Sequence, residues 1–210
     1  MKKALVIIDA QNDFITGVLA ADKDKKVRDK IYEKCAQEVK DSSDLFFTKD
    51  SHGDDYGSTS ESKDYEKHCI YGSQGHQIDE ELCKLCDVAV DVIDKNTIGS
   101  LRLARSLAER KYDRIELIGY ILENAVLANA VILKTTEPKA EICVNLAYTA
   151  SVDNKKAKAA VELMKNLGIE VIEEKKTKAK SVKKEAKSEK KETEKVEKKV
   201  EKEAEKKVEK

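Results

Sequence analysis

Residues 4–14 read ALVIIDAQNDF: five consecutive apolar side chains, Ala4 to Ile8, closed by the carboxylate of Asp9. A run this short, rich in β-branched residues and without polar alternation, predicts a strand buried on both faces of a sheet. A carboxylate directly at the end of such a strand needs a partner. The pattern recurs downstream. Leu45–Thr48 ends at Asp50, Val88–Ile93 closes on Asp94 and Lys95, and Arg114–Ile118 runs into Gly119. Ile142–Leu146 and Gly168–Ile172 bring the strand candidates to six. Between them lie helical stretches: Lys25–Lys40, with Val27, Ile31, Cys35 and Val39 spaced four apart, then Leu101–Arg110, Glu123–Thr135 and Asn154–Asn166. Strands alternating with amphipathic helices predict an α/β fold, a doubly wound, mainly parallel six-stranded sheet with helices on both faces. Ligands of such sheets bind beyond the carboxyl ends of the strands. Asp9, Asp50, Lys95 and the segment after Gly119 are therefore the candidate site. Residues 51–77, polar, rich in Gly and Ser and without periodicity, predict a long functional loop.

Charge is divided along the chain. The 210 residues carry 41 basic and 41 acidic side chains, yet Lys175 to Lys210 holds 16 Lys against 9 acidic residues, so an acidic body precedes a basic tail. Residues 1–173 read as one domain. Residues 174–210 read as a charged, low-complexity tail, helical or disordered: pairs such as Glu194–Lys198 support a helix, but there is almost nothing to bury. Glutamates interleaved with the lysines weaken any positive field, and the tail has no aromatic to stack on a base, so no nucleic-acid partner is expected. No apolar run approaches the roughly 20 residues that cross a bilayer, so no membrane span is expected. The apolar stretch after Lys2 and Lys3 is too short for a signal-peptide core. Five cysteines, an odd number without an export signal, point to reduced thiols and a cytoplasmic location. Cys83 and Cys86 have CxxC spacing but lack the second pair that a zinc site needs.

Five segments, in order over about residues 3–173, resemble the isochorismatase-like cysteine hydrolases, especially the nicotinamidase/pyrazinamidase branch. They are ALVIIDAQNDF at 4–14, FTKDSH at 47–52, HCIYGSQG at 68–75, IDKNT at 93–97 and the stretch Gly119 to Ala130. The resemblance implies the isochorismatase-like hydrolase fold and a division of labour. Asp9 is the acid/base that takes a proton from a cysteine thiol, and Lys95 stabilises the ionised pair. A cis peptide lies between Tyr120 and Ile121, and the amides of Ile121 and residue 125 hold the oxyanion. Phe14 forms a pocket wall. Asp50, His52 and His68 hold a divalent metal ion, and two imidazoles with one carboxylate suit Zn, Fe or Mn. The fourth position is left to water, Asp55 or Tyr56, and His76 is expected to be an exposed spare. The implied ligand is a small-molecule amide or aromatic acid, and homo-oligomers are common in the family.

One departure decides how the resemblance is used. Residue 125, where the pattern has the nucleophilic cysteine, is alanine, and no cysteine lies between Cys86 and Cys143. Leu122 and Glu123 stand where the pattern has Thr and Asp. A methyl group forms no thioester, so the expectation is a catalytically impaired small-molecule-binding homologue, a pseudoenzyme that keeps acid/base, lysine and metal site. Bulky Tyr120 and apolar Leu122 are expected to narrow or dry the pocket. Two alternatives stay open: a residual hydrolase working through metal-bound water, and an interaction protein using the charged tail.

Overall fold

The computed structural model describes residues 1–173. Six strands form one sheet: β1 (Lys3–Ile8), β2 (Asp44–Asp50), β3 (Asp91–Lys95), β4 (Arg114–Gly119), β5 (Glu141–Thr149) and β6 (Glu170–Ile172). Their order is β3-β2-β1-β4-β5-β6 and every neighbouring pair is parallel. The helices are α1 (Asn12–Ile15), α2 (Lys26–Lys40), α3 (Glu80–Cys83), α4 (Leu101–Ala108), α5 (Leu127–Thr136) and α6 (Asn154–Asn166).

Strand β1 shows why the opening stretch reads as continuously apolar. Ala4, Val6 and Ile8 join a core that holds Leu103 and Leu107 of α4, Leu133 of α5 and Met164 of α6. Leu5 and Ile7 point the opposite way, into a second core with Ile31 and Cys35 of α2 and Leu82 of α3. A strand covered on both faces has no place for polar alternation. The N-terminal half of the chain winds from β1 outward to β3, and the C-terminal half winds from β4 outward to β6. The direction therefore reverses between the central neighbours β1 and β4, and that is where open α/β sheets form a crevice. Gly119, at the end of β4, has φ +113°, and a Cβ there would lie 2.2 Å from the carbonyl oxygen of Ile8. Only glycine lets the two central strands meet so closely at the crevice floor.

Several boundaries differ from the expectation. Strand β3 begins at Asp91 rather than Val88: Cys86–Val88 is a 3-10 turn, and Val88 is exposed. This is an edge strand: the 3-10 turn delays its start, Val90 N makes the first bond to β2 at Leu45 O (2.8 Å), and the register runs from Asp91 opposite Phe46 to Lys95 opposite Asp50. The long loop carries 3-10 turns at Asp54–Ser58 and Glu61–Lys63. Helix α5 is preceded by a π-turn, Leu122–Val126. The short helices α1 and α3 have no counterpart in the periodicity. No helix among the described residues is long and apolar enough to cross a membrane. The tail, including the Glu194–Lys198 pair, lies outside the described residues.

Candidate functional site

Asp9 follows β1 with φ 47°, a left-handed conformation that costs a non-glycine residue about 1–3 kcal/mol. Its amide donates to Thr48 Oγ1 (3.1 Å) and the Thr48 hydroxyl donates to Asp9 Oδ1 (2.6 Å). Its other oxygen, Oδ2, is 2.7 Å from Lys95 Nζ. Lys95, the last residue of β3, also donates to Asp50 Oδ1 at 3.2 Å. Asp50, the last residue of β2, places Oδ2 at 2.9 Å from His52 Nε2 and 3.3 Å from His68 Nε2. All six side chains are buried. Burial raises the Asp9 carboxyl to about 6, opposed by Lys95 and reinforced by Asp50. Burial also raises Asp50, but hydrogen bonds from His52 and His68 and the charge of Lys95 hold it well below the ordinary carboxylate range. For Lys95, burial works against the charge, but Asp9 and Asp50 outweigh it and hold the ammonium above the ordinary lysine value.

The backbone under these groups is pinned by Gln11. Its Nε2 donates to the carbonyls of Asp50 (2.7 Å) and His76 (2.8 Å), and its Oε1 accepts from the Asp50 amide (2.7 Å). His68 is brought in by the long loop. His52 N donates to Cys69 O (3.0 Å) and Tyr71 N to His52 O (2.9 Å), a strand-like bridge outside the sheet. Asp13 Oδ2 accepts from the Cys69 amide at 2.8 Å, and Gly75 leaves room for that carboxylate, since a Cβ there would lie 2.1 Å from Oδ2. The His68 Nδ1–H donates to Glu66 O at 2.7 Å, which orients Nε2 toward the cluster.

A fourth donor joins the sequence-derived trio. Glu61, from the 3-10 turn Glu61–Lys63, has Oε2 at 3.7 Å from His52 Nε2 and Oε1 at 4.0 Å from His68 Nε2. One ligand atom each from Asp50, His52, Glu61 and His68 lies within 4.8 Å of the others. Asp55 is exposed. Tyr56 donates its hydroxyl to Tyr65 O (3.1 Å) and packs its ring edge at 4.7 Å from His52. Neither belongs to the cluster, which corrects the expectation that Asp55 or Tyr56 could take the fourth position. Two imidazoles and two carboxylates converging in a buried space suit zinc, iron or manganese, and the two negative charges call for a cation.

A small cavity of about 20 Å³, partly open to solvent, joins this cluster to the β1–β4 crevice. Asp9, Asp50, Glu61, His68 and Lys95 line its polar side, and Phe14, Leu19, Ile98, Ile121 and Ala125 its apolar side, with Tyr65 and Asn124 between. Phe14 meets His68 edge-on at 5.5 Å. The Tyr120–Ile121 peptide bond is cis. Tyr120 and Leu122 do not line the cavity, contrary to the expectation that they narrow it. The Tyr120 hydroxyl donates to Asp22 Oδ2 at 3.1 Å on the far side, and Leu122 packs into the core beside α4 and α5. Glu123 Oε1 accepts from the amides of Val152 (3.0 Å) and Asp153 (2.8 Å), which ties the π-turn to the start of α6. His76 is buried rather than exposed, with Nε2 2.7 Å from Ser51 Oγ. Ser51 donates to Asp94 Oδ1 (2.7 Å), so Asp94 sits on the serine and not behind the imidazole, which is not the order of a proton relay.

No cysteine lines the cavity. Cys69 is fully buried, and burial, then Asp50 and Asp9, push its thiol far above the ordinary value. Glu61, Gln11 and Asn124 are the site residues that sequence reasoning missed. Gln11 stands inside the quoted opening motif, but its partner Asp50 is 39 residues away. Glu61 is one acidic residue among several in an aperiodic loop.

The isochorismatase domain model matches residues 3–176. Among solved structures, the chain is similar to the nicotinamidase of Bacillus subtilis, with 26% identity, TM-score 0.72, and 82% of this chain and 99% of that one covered. A pyrazinamidase of Pyrococcus horikoshii, solved in complex with zinc, shares the fold at 21% identity and TM-score 0.71, over 83% of this chain and all of that one. So does the L. infantum protein PnC1, solved in complex with nicotinate, at 20% identity and TM-score 0.71, over 82% and 92%. A search of curated proteins found no match.

Proposed function

Since the chain belongs to the isochorismatase family, we propose that it is a nicotinamidase-like scaffold that binds a small amide or aromatic acid beside a divalent ion and no longer carries out thiol-based hydrolysis. One observation carries the reading: Ala125 lines the cavity with Asp9 and Lys95, and no thiol does. In the implied mechanism Asp9 ionises a cysteine, and the thiolate then attacks an amide carbonyl. Here Asp9 has a carboxyl raised to about 6 and shares the cavity with the methyl group of Ala125, so the proton acceptor is present and the nucleophile is not. Losing a nucleophile that works as part of a unit removes several orders of magnitude in rate.

Binding needs less. Phe14, Ile121 and Ile98 offer apolar contact for a small ring, and Asn124 and Lys95 offer polar groups. Asp50, His52, Glu61 and His68 would hold the ion, which supplies a coordination position for a ring nitrogen or a water. The zinc in the Pyrococcus horikoshii pyrazinamidase and the nicotinate in the L. infantum protein support the same two roles. A cytoplasmic location and a homo-oligomer belong to this proposal as well.

The test is restoration. The native chain should bind nicotinamide or nicotinate in calorimetry and release no ammonia from nicotinamide above a protein-free blank. Ala125→Cys should restore deamidation without further changes, because Leu122 and Glu123 are occupied outside the cavity. Turnover of nicotinamide by the native chain, abolished by Asp9→Asn, would sink the reading.

A further inference from the structure

Two carboxylates share one ammonium. Lys95 Nζ stands 2.7 Å from Asp9 Oδ2 and 3.2 Å from Asp50 Oδ1, and all three residues are buried. Asp50 turns its other oxygen toward His52 and His68, so the carboxylate has one oxygen for the lysine and one for the metal cluster. Asp9 hydrogen-bonds Thr48 and pairs with Lys95 but contacts none of the imidazoles. In a buried path of this length a unit charge at one end is felt at the other. A pair kept only to ionise a sulfur has no partner in a cavity lined by Ala125. Yet Asp9 is held in a left-handed conformation that most residues avoid, and both charges are withdrawn from water.

We propose that Asp9 and Lys95 are positioning residues of the metal centre. Asp9 draws the lysine charge away from Asp50, so that Asp50 keeps its negative charge on Oδ2 for a divalent cation, and the Lys95 bond to Oδ1 holds that carboxylate to ligation through one oxygen. The charges fit. Asp9, Asp50 and Glu61 against Lys95 leave a net of two negative charges, the complement of a divalent ion. Neutralising Asp9 leaves one negative charge and gives the whole of the lysine to a metal ligand. The inference rests on the metal-site part of the proposed function and accounts for the pair without catalysis.

The experiment measures zinc affinity of the full chain by competition with a chromogenic chelator at about pH 7.5, where Asp9 is ionised. Asp9→Asn should weaken zinc binding about ten- to a hundredfold, the effect typical of groups behind a metal ligand. Adding Lys95→Met to Asp9→Asn should recover most of that loss, since the unshared lysine charge is what weakened the site. A purely structural role predicts the opposite, a double variant as weak as the single one or weaker. Unchanged affinity in Asp9→Asn, or no recovery in the double variant, overturns the proposal while leaving the metal centre standing. Failure of the native chain to bind zinc overturns the metal centre and this proposal together.

Discussion

Asp9 is asked to be charged and buried at once, and its titration carries the consequence. Its folded-state value of about 6 lies above the ordinary 3.8, so the folded chain holds that proton more tightly than the unfolded one. The stability it contributes is then fully present below about pH 4 and is lost as pH rises through about 6. In the metal-free protein, Asp9→Asn should match the parent near pH 4 and gain on it between pH 4 and 7. The gain is read as the change with pH in the difference between paired denaturation curves. A difference that stays flat with pH, or moves in the parent's favour, contradicts this account. At the same scale, Asp9, Asp50 and Lys95 are legible in the sequence because each ends an apolar run. Glu61 and the burial of His76 are not, since loop residues acquire their neighbours from a path that periodicity does not encode.

The elements were readable in proportion to how much of their pattern is local. Strands β1, β2 and β4 are short apolar runs whose ends coincide with polar residues or glycine, and α2 and α6 show one apolar face. Strand β3 is different: Val88, Val90 and Val92 have the composition of a strand, yet Val88 ends a 3-10 turn and the register with β2 begins only at Asp91, opposite Phe46. The central strands carry the sharpest prediction at this scale. Gly119→Ala places a methyl group against the Ile8 carbonyl in a conformation that side chains rarely adopt. It should lower unfolding stability by at least about 1–3 kcal/mol from conformation alone, and more from the contact with backbone. A denaturant midpoint equal to the parent's would mean that β1 and β4 can part at the crevice floor without cost.

For the molecule as a whole, the reversal of strand order between β1 and β4 gathers the site, and everything it gathers lies before residue 126. A chain ending at Glu173 should therefore keep the thermal midpoint and zinc stoichiometry of the full chain. Loss of either on truncation would give the tail a part in the domain that the proposed division at 173 denies it. The sequence by itself determined the alternation of buried strands and amphipathic helices, the residues at the strand ends and the alanine at position 125, because these follow from local patterns of polarity and from identity. Tertiary structure alone decided that Glu61 completes the cluster, that Gln11 holds Asp50, that Tyr120 and Leu122 face away from the cavity, and that one lysine serves two carboxylates. The path of the long loop decides the first, and the others join residues tens of positions apart, which only the packing of parallel strands with their loops brings within a few ångströms of each other.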